Sequence, residues 1–235
     1  MSSIAVMQPY FFPYIGYFQL IAAVDKFVFY DDVNFIKNGW INRNRLLIHG
    51  ESKYFTIPCK DVSSNKLIKE IEHSLDDHSK NKLLKKIKFT YSNAPYFEQV
   101  FNLIQGLFYK NIKKISDLAV ESVVTSSNYI GIECEFSKSS EKYNNKDLMA
   151  ADRLIDICKV ENMQKYINLI GGKELYDNNY FRQQGDIDLL FLHPEIKEYE
   201  QFRNDFIPGL SIIDVMMFNN PEVIKESLLT SYNLI

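Results

Sequence analysis

Apolar residues follow two different spacings along this chain. Ile4-Ala5-Val6 is a short β-prone run that stops at Gln8-Pro9, and from Tyr14 the apolar positions recur at Tyr17, Phe18 and Ile21 until Asp25-Lys26. The first pattern predicts a buried strand and the second one face of a helix. Phe27-Val28-Phe29-Tyr30 is again an apolar run, with Asp31 and Asp32 at its end. Strand, loop, helix, strand opens an α/β unit with parallel strands and a right-handed crossover. The expected fold is α/β, a Rossmann-like parallel sheet flanked by helices.

Between residues 34 and 58 the period changes to short extended pieces. Arg45-Leu46-Leu47-Ile48 and Tyr54-Phe55-Thr56-Ile57 flank His49-Gly50-Glu51, and Asn38-Gly39 is a two-residue hairpin signal. A small β-hairpin excursion is predicted here. Residues 65–130 turn helical: Leu83, Ile87 and Tyr91 precede a break at Asn93-Ala94-Pro95, and Phe97, Val100, Phe101, Ile104 and Phe108 follow it. This mostly helical insertion is read as a subdomain within one domain spanning 1–235. Residues 137–145 read as a polar loop, and Asp147 as the cap of a helix with Leu148, Ala151, Ile155 and Cys158 on one face. Residues 166–170 and 189–192 are further strands, ending at Gly171-Gly172 and His193-Pro194.

Composition narrows the partners. The 235 residues are 46% hydrophobic with a net charge of −3, and acids and bases are interspersed, so no strong field invites DNA or an anionic membrane. The lysines of residues 80–88 and 110–114 read as solvated faces, because no aromatic interleaving marks a nucleic-acid track. No run of about 18 apolar residues predicts a membrane span. Three cysteines, Cys59, Cys134 and Cys158, are odd in number and far apart, which disfavours a disulfide framework and a zinc knuckle. The expected location is the cytoplasm.

Candidate chemistry gathers where strands end. Ligands of open α/β sheets collect beyond the carboxyl ends of strands, so Gln8, Asp31, Asp32, Gly171, Gly172 and His193 are expected to converge. In the aromatic run of residues 7–17, Gln8, Tyr10, Tyr14 and Tyr17 carry polar tips, whereas Phe11 and Phe12 suit packing. Pro13-Tyr14-Ile15-Gly16-Tyr17 resembles in layout the His-x-Gly-His element of nucleotidylyltransferases and class I aminoacyl-tRNA synthetases, with tyrosines where histidines would stand. A tyrosine is neutral near pH 7 and does not replace a cationic imidazole, which counts against adenylyl transfer.

Lys37, Trp40, Asn42 and Arg43 form the richest recognition stretch: a ring to stack, an amide to read hydroxyls and cations to hold phosphate. Arg45 is assigned to the following strand. Asp31 and Asp32 point to opposite faces if extended, so one is expected to face the site, and a Mg²⁺ role for them stays open. His193 is the candidate general base. Ser211 is read as a helix cap, and Asp214 as the partner of an arginine such as Arg43 or Arg182. The histidines lack metal-ligand spacing, so no metal site is predicted; no Gly-x-Ser-x-Gly elbow or Cys-His context supplies a nucleophile.

With these pieces in order, the chain resembles the WbqC-like family. The motifs are Gln8-Pro9-Tyr10-Phe11-Phe12-Pro13-Tyr14-Ile15-Gly16-Tyr17, Tyr30-Asp31-Asp32, Lys37-Asn38-Gly39-Trp40-Ile41-Asn42-Arg43-Asn44, Tyr199, Gln201 and Pro208-Gly209-Leu210-Ser211-Ile212-Ile213-Asp214. Asn219-Asn220-Pro221 departs from the expected Asn-Gly ending. The resemblance implies a bacterial cytoplasmic protein of surface-polysaccharide and O-antigen biosynthesis. The expected activity is a transferase that places a small acyl or aminoacyl group, such as glycyl, on the amine of a nucleotide-linked amino sugar. In that reading Trp40 and the N-terminal rings stack on sugar or base, Lys37 and Arg43 hold the pyrophosphate, and Asp31, Asp32 or His193 takes a proton from the ammonium. The donor stays open among an amino acid with ATP, acyl-CoA and a charged tRNA. The alternatives are an ATP-dependent amide ligase or nucleotidyltransferase-like enzyme of the same fold, and a non-catalytic nucleotide-sugar or glycan-binding protein.

Overall fold

The computed structural model describes residues 2–202 and 205–235. β1 (Ser3–Met7) holds Ile4, Ala5 and Val6 out of solvent, as a central parallel strand covered on both faces requires. Pro9 and Pro13 keep the next residues out of a helix, and α1 (Ile15–Ala22) then buries Tyr17, Phe18, Leu20 and Ile21. The chain returns as β2 (Lys26–Phe29), parallel to β1 with Ala5 opposite Phe27.

β3 (Arg43–Ile48) and β4 (Glu51–Thr56) form a separate antiparallel sheet, with Arg45 opposite Tyr54. Their turn is His49-Gly50, both at positive φ (53° and 75°), as a tight hairpin with the right twist demands. Asn38-Gly39 is not a hairpin turn. Asn38 also has positive φ, but no paired strands flank it, and the loop is held instead by Arg43, which donates to the carbonyls of Asn38 and Gly39.

Three helices follow, α2 (Asp77–Tyr91), α3 (Phe97–Tyr109) and α4 (Ile115–Ile130). Asp76 caps the first by accepting from the Ser79 amide, and Gly131, at φ 81°, ends the last.

The chain re-enters the main sheet with β5 (Glu135–Lys138), parallel to β2, and continues as the single turn α5 (Ser139–Lys142). The expected polar loop over residues 137–145 is therefore the end of a strand, then a helical turn, and loop only over 143–145: an edge strand buries little, so its sequence stays polar. Asp147 does not cap the following helix, α6 (Ala150–Val160), which begins after Met149 without a side-chain cap. Next come β6 (Lys165–Leu169), α7 (Asn178–Gly185), β7 (Asp188–Pro194), α8 (Ile212–Phe218) and β8 (Tyr232–Leu234).

The main sheet has the order β5-β2-β1-β6-β7-β8. All pairs are parallel except β7 with β8, so the sheet is mixed. From β1 the chain steps outward through β2 to β5, then crosses to β6 and proceeds the other way. The reversal lies between β1 and β6, and in open α/β sheets such a switch point leaves a crevice at the carboxyl ends.

At the opposite end of the sheet, charge is fully balanced. Lys26, the buried first residue of β2, pairs with Glu135 and, at 2.8 Å, with Glu161, which also meets Lys142 at 2.7 Å. Among the described residues no helix is long and apolar enough to cross a membrane.

Candidate functional site

A cleft of about 690 Å³ opens at the switch point. Its floor is the carboxyl end of the sheet: Met7 at the end of β1 and Gln8 after it, Tyr30 after β2, Asn168 and Leu169 at the end of β6. One wall comes from the hairpin and the loop before it, through Ile36, Trp40, Asn44 and Arg45; Gly171, Gly172 and Tyr176 stand opposite. The described lining residues include no aspartate, glutamate, histidine or lysine, and Arg45 is its one full charge.

Each lining group is placed by identifiable contacts. Tyr17, expected at the site, is wholly buried and does not line the cleft; it donates to the Gln8 carbonyl at 2.8 Å and fixes the end of β1. The Tyr14 ring folds back over Gly16, where a Cβ would stand 2.5 Å from Tyr14 Cε2; only glycine leaves the ring its place at the cleft. Burial pushes the phenols of Tyr10, Tyr14 and Tyr17 above their ordinary pKa, so they stay neutral and donate or accept without charge.

Phe12 sits at φ 42°, a left-handed conformation rare for a bulky residue. Three partners hold it there: its amide donates to Ser122 Oγ at 2.9 Å, and its carbonyl accepts from Asn44 Nδ2 and Ser211 Oγ, both at 2.7 Å. Strain of this kind persists where the surroundings over-determine it. Here it locks the aromatic loop, the hairpin and the start of α8 together.

Arg45 is the most informative side chain. Its guanidinium lies 5.4 Å from the centre of the Trp40 ring, and Nη2 donates to the Gly209 carbonyl at 2.8 Å. Gly209 has φ 69°, and a Cβ there would lie 3.1 Å from Nη2. Arg45 Nε is buried without a partner, and among the described residues no carboxylate pairs with this guanidinium. Gln8 Oε1 is a second buried polar atom in the cleft that lacks a partner. An unpaired cation and an orphan acceptor in one cavity call for water or a ligand to satisfy them.

The structure sorts the predicted residues. Gln8, Tyr10, Tyr14 and Trp40 line the cleft, and so do Gly171 and Gly172. Lys37 is exposed on a turn outside it. Asn42 braces the hairpin by donating to the Ile57 carbonyl, and Arg43 stacks on Tyr54 at 4.5 Å, so neither enters.

Asp31 and Asp32 do not diverge, because the strand stops at Phe29 and both carboxylates turn toward the start of α5. Asp31 accepts from the Ser140 amide and hydroxyl at 3.0 and 2.7 Å, and Asp32 pairs with Arg153 at 2.7 Å; Ser139 donates to both. They sit behind the cleft as fasteners. His193 is exposed on β7, opposite Asn233 of β8, and does not line the cleft.

Ser211 does cap α8, accepting from the Ile213 amide. Asp214 meets neither Arg43 nor Arg182, which pairs with Asp188. It accepts instead from Tyr91 and Tyr199 hydroxyls and Gln201 Nε2, at 2.7–2.8 Å, and burial raises its pKa. Arg45, in the strand to which the sequence assigns it, also lines the cleft, as do Asn44 and Asn168, which no local pattern marks as site residues. Among the described residues no three His, Cys, Asp or Glu side chains gather as metal ligands.

Comparison with known proteins follows the same boundaries. The model of the WbqC-like protein family matches residues 8–226, from the cleft glutamine to beyond α8. The chain belongs to this family. This WbqC-like protein is also 24% identical over 225 residues to "Uncharacterized protein Rv1507c" of Mycobacterium tuberculosis (strain ATCC 25618 / H37Rv), covering 93% of this chain and 94% of the other. No solved structure matches it.

Proposed function

We propose that this WbqC-like protein binds a nucleotide-linked amino sugar in the switch-point cleft and acylates its amine there, in surface-polysaccharide biosynthesis. The observation that carries the binding half is Arg45, an uncompensated cation stacked on Trp40 at the wall of an aromatic, acid-free cavity. Such a site favours a ligand that is both anionic and ring-bearing. Its volume falls within the ~300–1,000 Å³ common to small-molecule sites. Arg45 takes the pyrophosphate role, Trp40 and the tyrosines stack on sugar or base, and Gln8 Oε1 accepts from the sugar amine. The amine nitrogen bonds to the donor's carbonyl carbon, the bond from that carbon to its leaving group breaks, and the amine proton leaves to solvent or to the departing group. The donor class, an ATP-activated amino acid, acyl-CoA or charged tRNA, is read by the assay below.

One observation favours a second reading, a non-catalytic nucleotide-sugar-binding protein: among the described residues no carboxylate or imidazole lines the cleft to take the amine's proton. Calorimetric titration with nucleotide-linked amino sugars, followed by mass spectrometry with each donor, separates the two. A mass gain of one acyl group establishes transfer. Binding with no gain from any donor leaves the second reading, and absence of binding removes both.

A further inference from the structure

The lysines of α2 lie beside the cleft's hairpin, and aromatic side chains from distant parts of the sequence interleave with them. α2 buries Leu83, Leu84, Ile87 and Tyr91. On its opposite face Lys82, Lys85, Lys86 and Phe89, at i, i+3, i+4 and i+7, are exposed, Phe89 by 74%. Lys86 Nζ donates to the Tyr54 carbonyl at 3.3 Å, and the Phe89 ring meets His49 of the hairpin turn edge-on at 5.8 Å. From Tyr54 the path leads inward: Arg43 stacks on its ring, Trp40 lies 6.1 Å from it, and Arg45 stacks on Trp40 in the cleft wall.

The result is an alternation of cations and ring faces running from the helix surface into the cleft. Glu51, the one acid of β3 and β4, pairs with Lys53. α2 itself carries five lysines against one acid, Asp77, at its N-terminal end. Phe89 stands among these lysines with most of its ring open to a stacking partner.

We infer that this face is a binding track for single-stranded nucleic acid whose end reaches the cleft. Lysines neutralise successive phosphates while Phe89, Tyr54 and Trp40 offer stacking faces, the combination by which single strands are held without sequence readout. A duplex keeps its bases stacked internally and leaves these rings unused. The track shares Trp40 with the cleft, but its lysines do not line the cleft, so this inference and the cleft reading can fail independently.

The test is fluorescence anisotropy of the full chain with a labelled single-stranded RNA of about twelve nucleotides, a length spanning one such site. The DNA equivalent, the RNA duplex and poly-glutamate are titrated in parallel. The expected result is salt-dependent binding of the single strands that Lys82→Glu/Lys85→Glu/Lys86→Glu weakens by about tenfold or more, and that Phe89→Ala weakens further. The triple variant's lysines are exposed, and its affinity for the nucleotide-linked sugar should be unchanged, whereas Arg45→Met should lose that ligand and keep most strand binding. Absence of strand binding at low salt overturns the inference, as does equal binding by the triple variant. Equal binding of duplex shows charge without stacking, and equal binding of poly-glutamate an acidic protein partner; either replaces it.

Discussion

Two arginines stack on two rings of the same cleft, with opposite electrostatic fates. Arg153 lies 4.7 Å from the centre of the Tyr30 ring, buried, with Asp32 at 2.7 Å and Asn145 at 2.9 Å. Arg45 lies over Trp40 with a carbonyl on one nitrogen and no carboxylate among the described residues. Both rings line the cavity, yet only one cation is already satisfied. A paired buried arginine is part of the frame; an unpaired one is open to an outside anion.

Breaking the closed pair should cost most. Arg153→Met leaves Asp32 buried and uncompensated, and denaturant unfolding should show a loss of ~3–5 kcal/mol. Adding Asp32→Asn should return a large part of it, since the orphan charge is then gone. Arg45→Met should do the reverse: ligand affinity falls by ~1.5–3 kcal/mol, the scale of hydrogen bonds to a charged group, while unfolding free energy shifts by less than ~1 kcal/mol. If Arg45→Met destabilises the fold as much as Arg153→Met does, the contrast fails.

Gly209→Ala tests whether the open arginine needs its carbonyl prop. Positive φ and the short approach to Nη2 should cost ~1–3 kcal/mol of stability, with weaker ligand binding in calorimetry. The smallest effect concerns acid. Burial would raise the Glu161 pKa, but Lys142, Lys26 and Tyr143 outweigh it and hold it at about 2, below its ordinary 4.5. Because the folded pKa is depressed, its stabilisation is present above 4.5 and is lost as pH falls toward 2. Thermal melts from pH 7 to 2 should show Glu161→Gln flattening this acid limb, and Arg45→Met leaving it intact.

The sequence made the central strands legible because parallel strands buried on both faces must be apolar throughout; β1, β2, β6 and β7 announce themselves this way. β5 and β8 did not, since edge strands such as Glu-Phe-Ser-Lys carry polar side chains. The aromatic loop and Trp40 were legible as site residues from their unusual concentration. Asp31 and Asp32 misled because their partners, Ser139, Ser140 and Arg153, lie more than 100 positions away, and no local pattern shows a carboxylate already claimed. Arg45 was passed over for the same reason in reverse: what makes it available is the absence of an acid beside it in space. His193 stood at a strand end, as expected, but on β7 rather than beside the reversal between β1 and β6.

The hairpin of β3 and β4 shares no ladder with the six-stranded sheet. Its consequence is modularity. The sheet, its parallel register and the backbone posture of the aromatic loop form a chassis, to which Asn44 bolts the hairpin, whereas the side chains of Trp40 and Arg45 are free of that bolt. Those two side chains could be exchanged, or their charge reversed, without breaking a rung of the six-stranded sheet. Exchanging Trp40 and Arg45 should therefore change which ligand the cleft takes while Gln8, Gly16 and the central strands stay put.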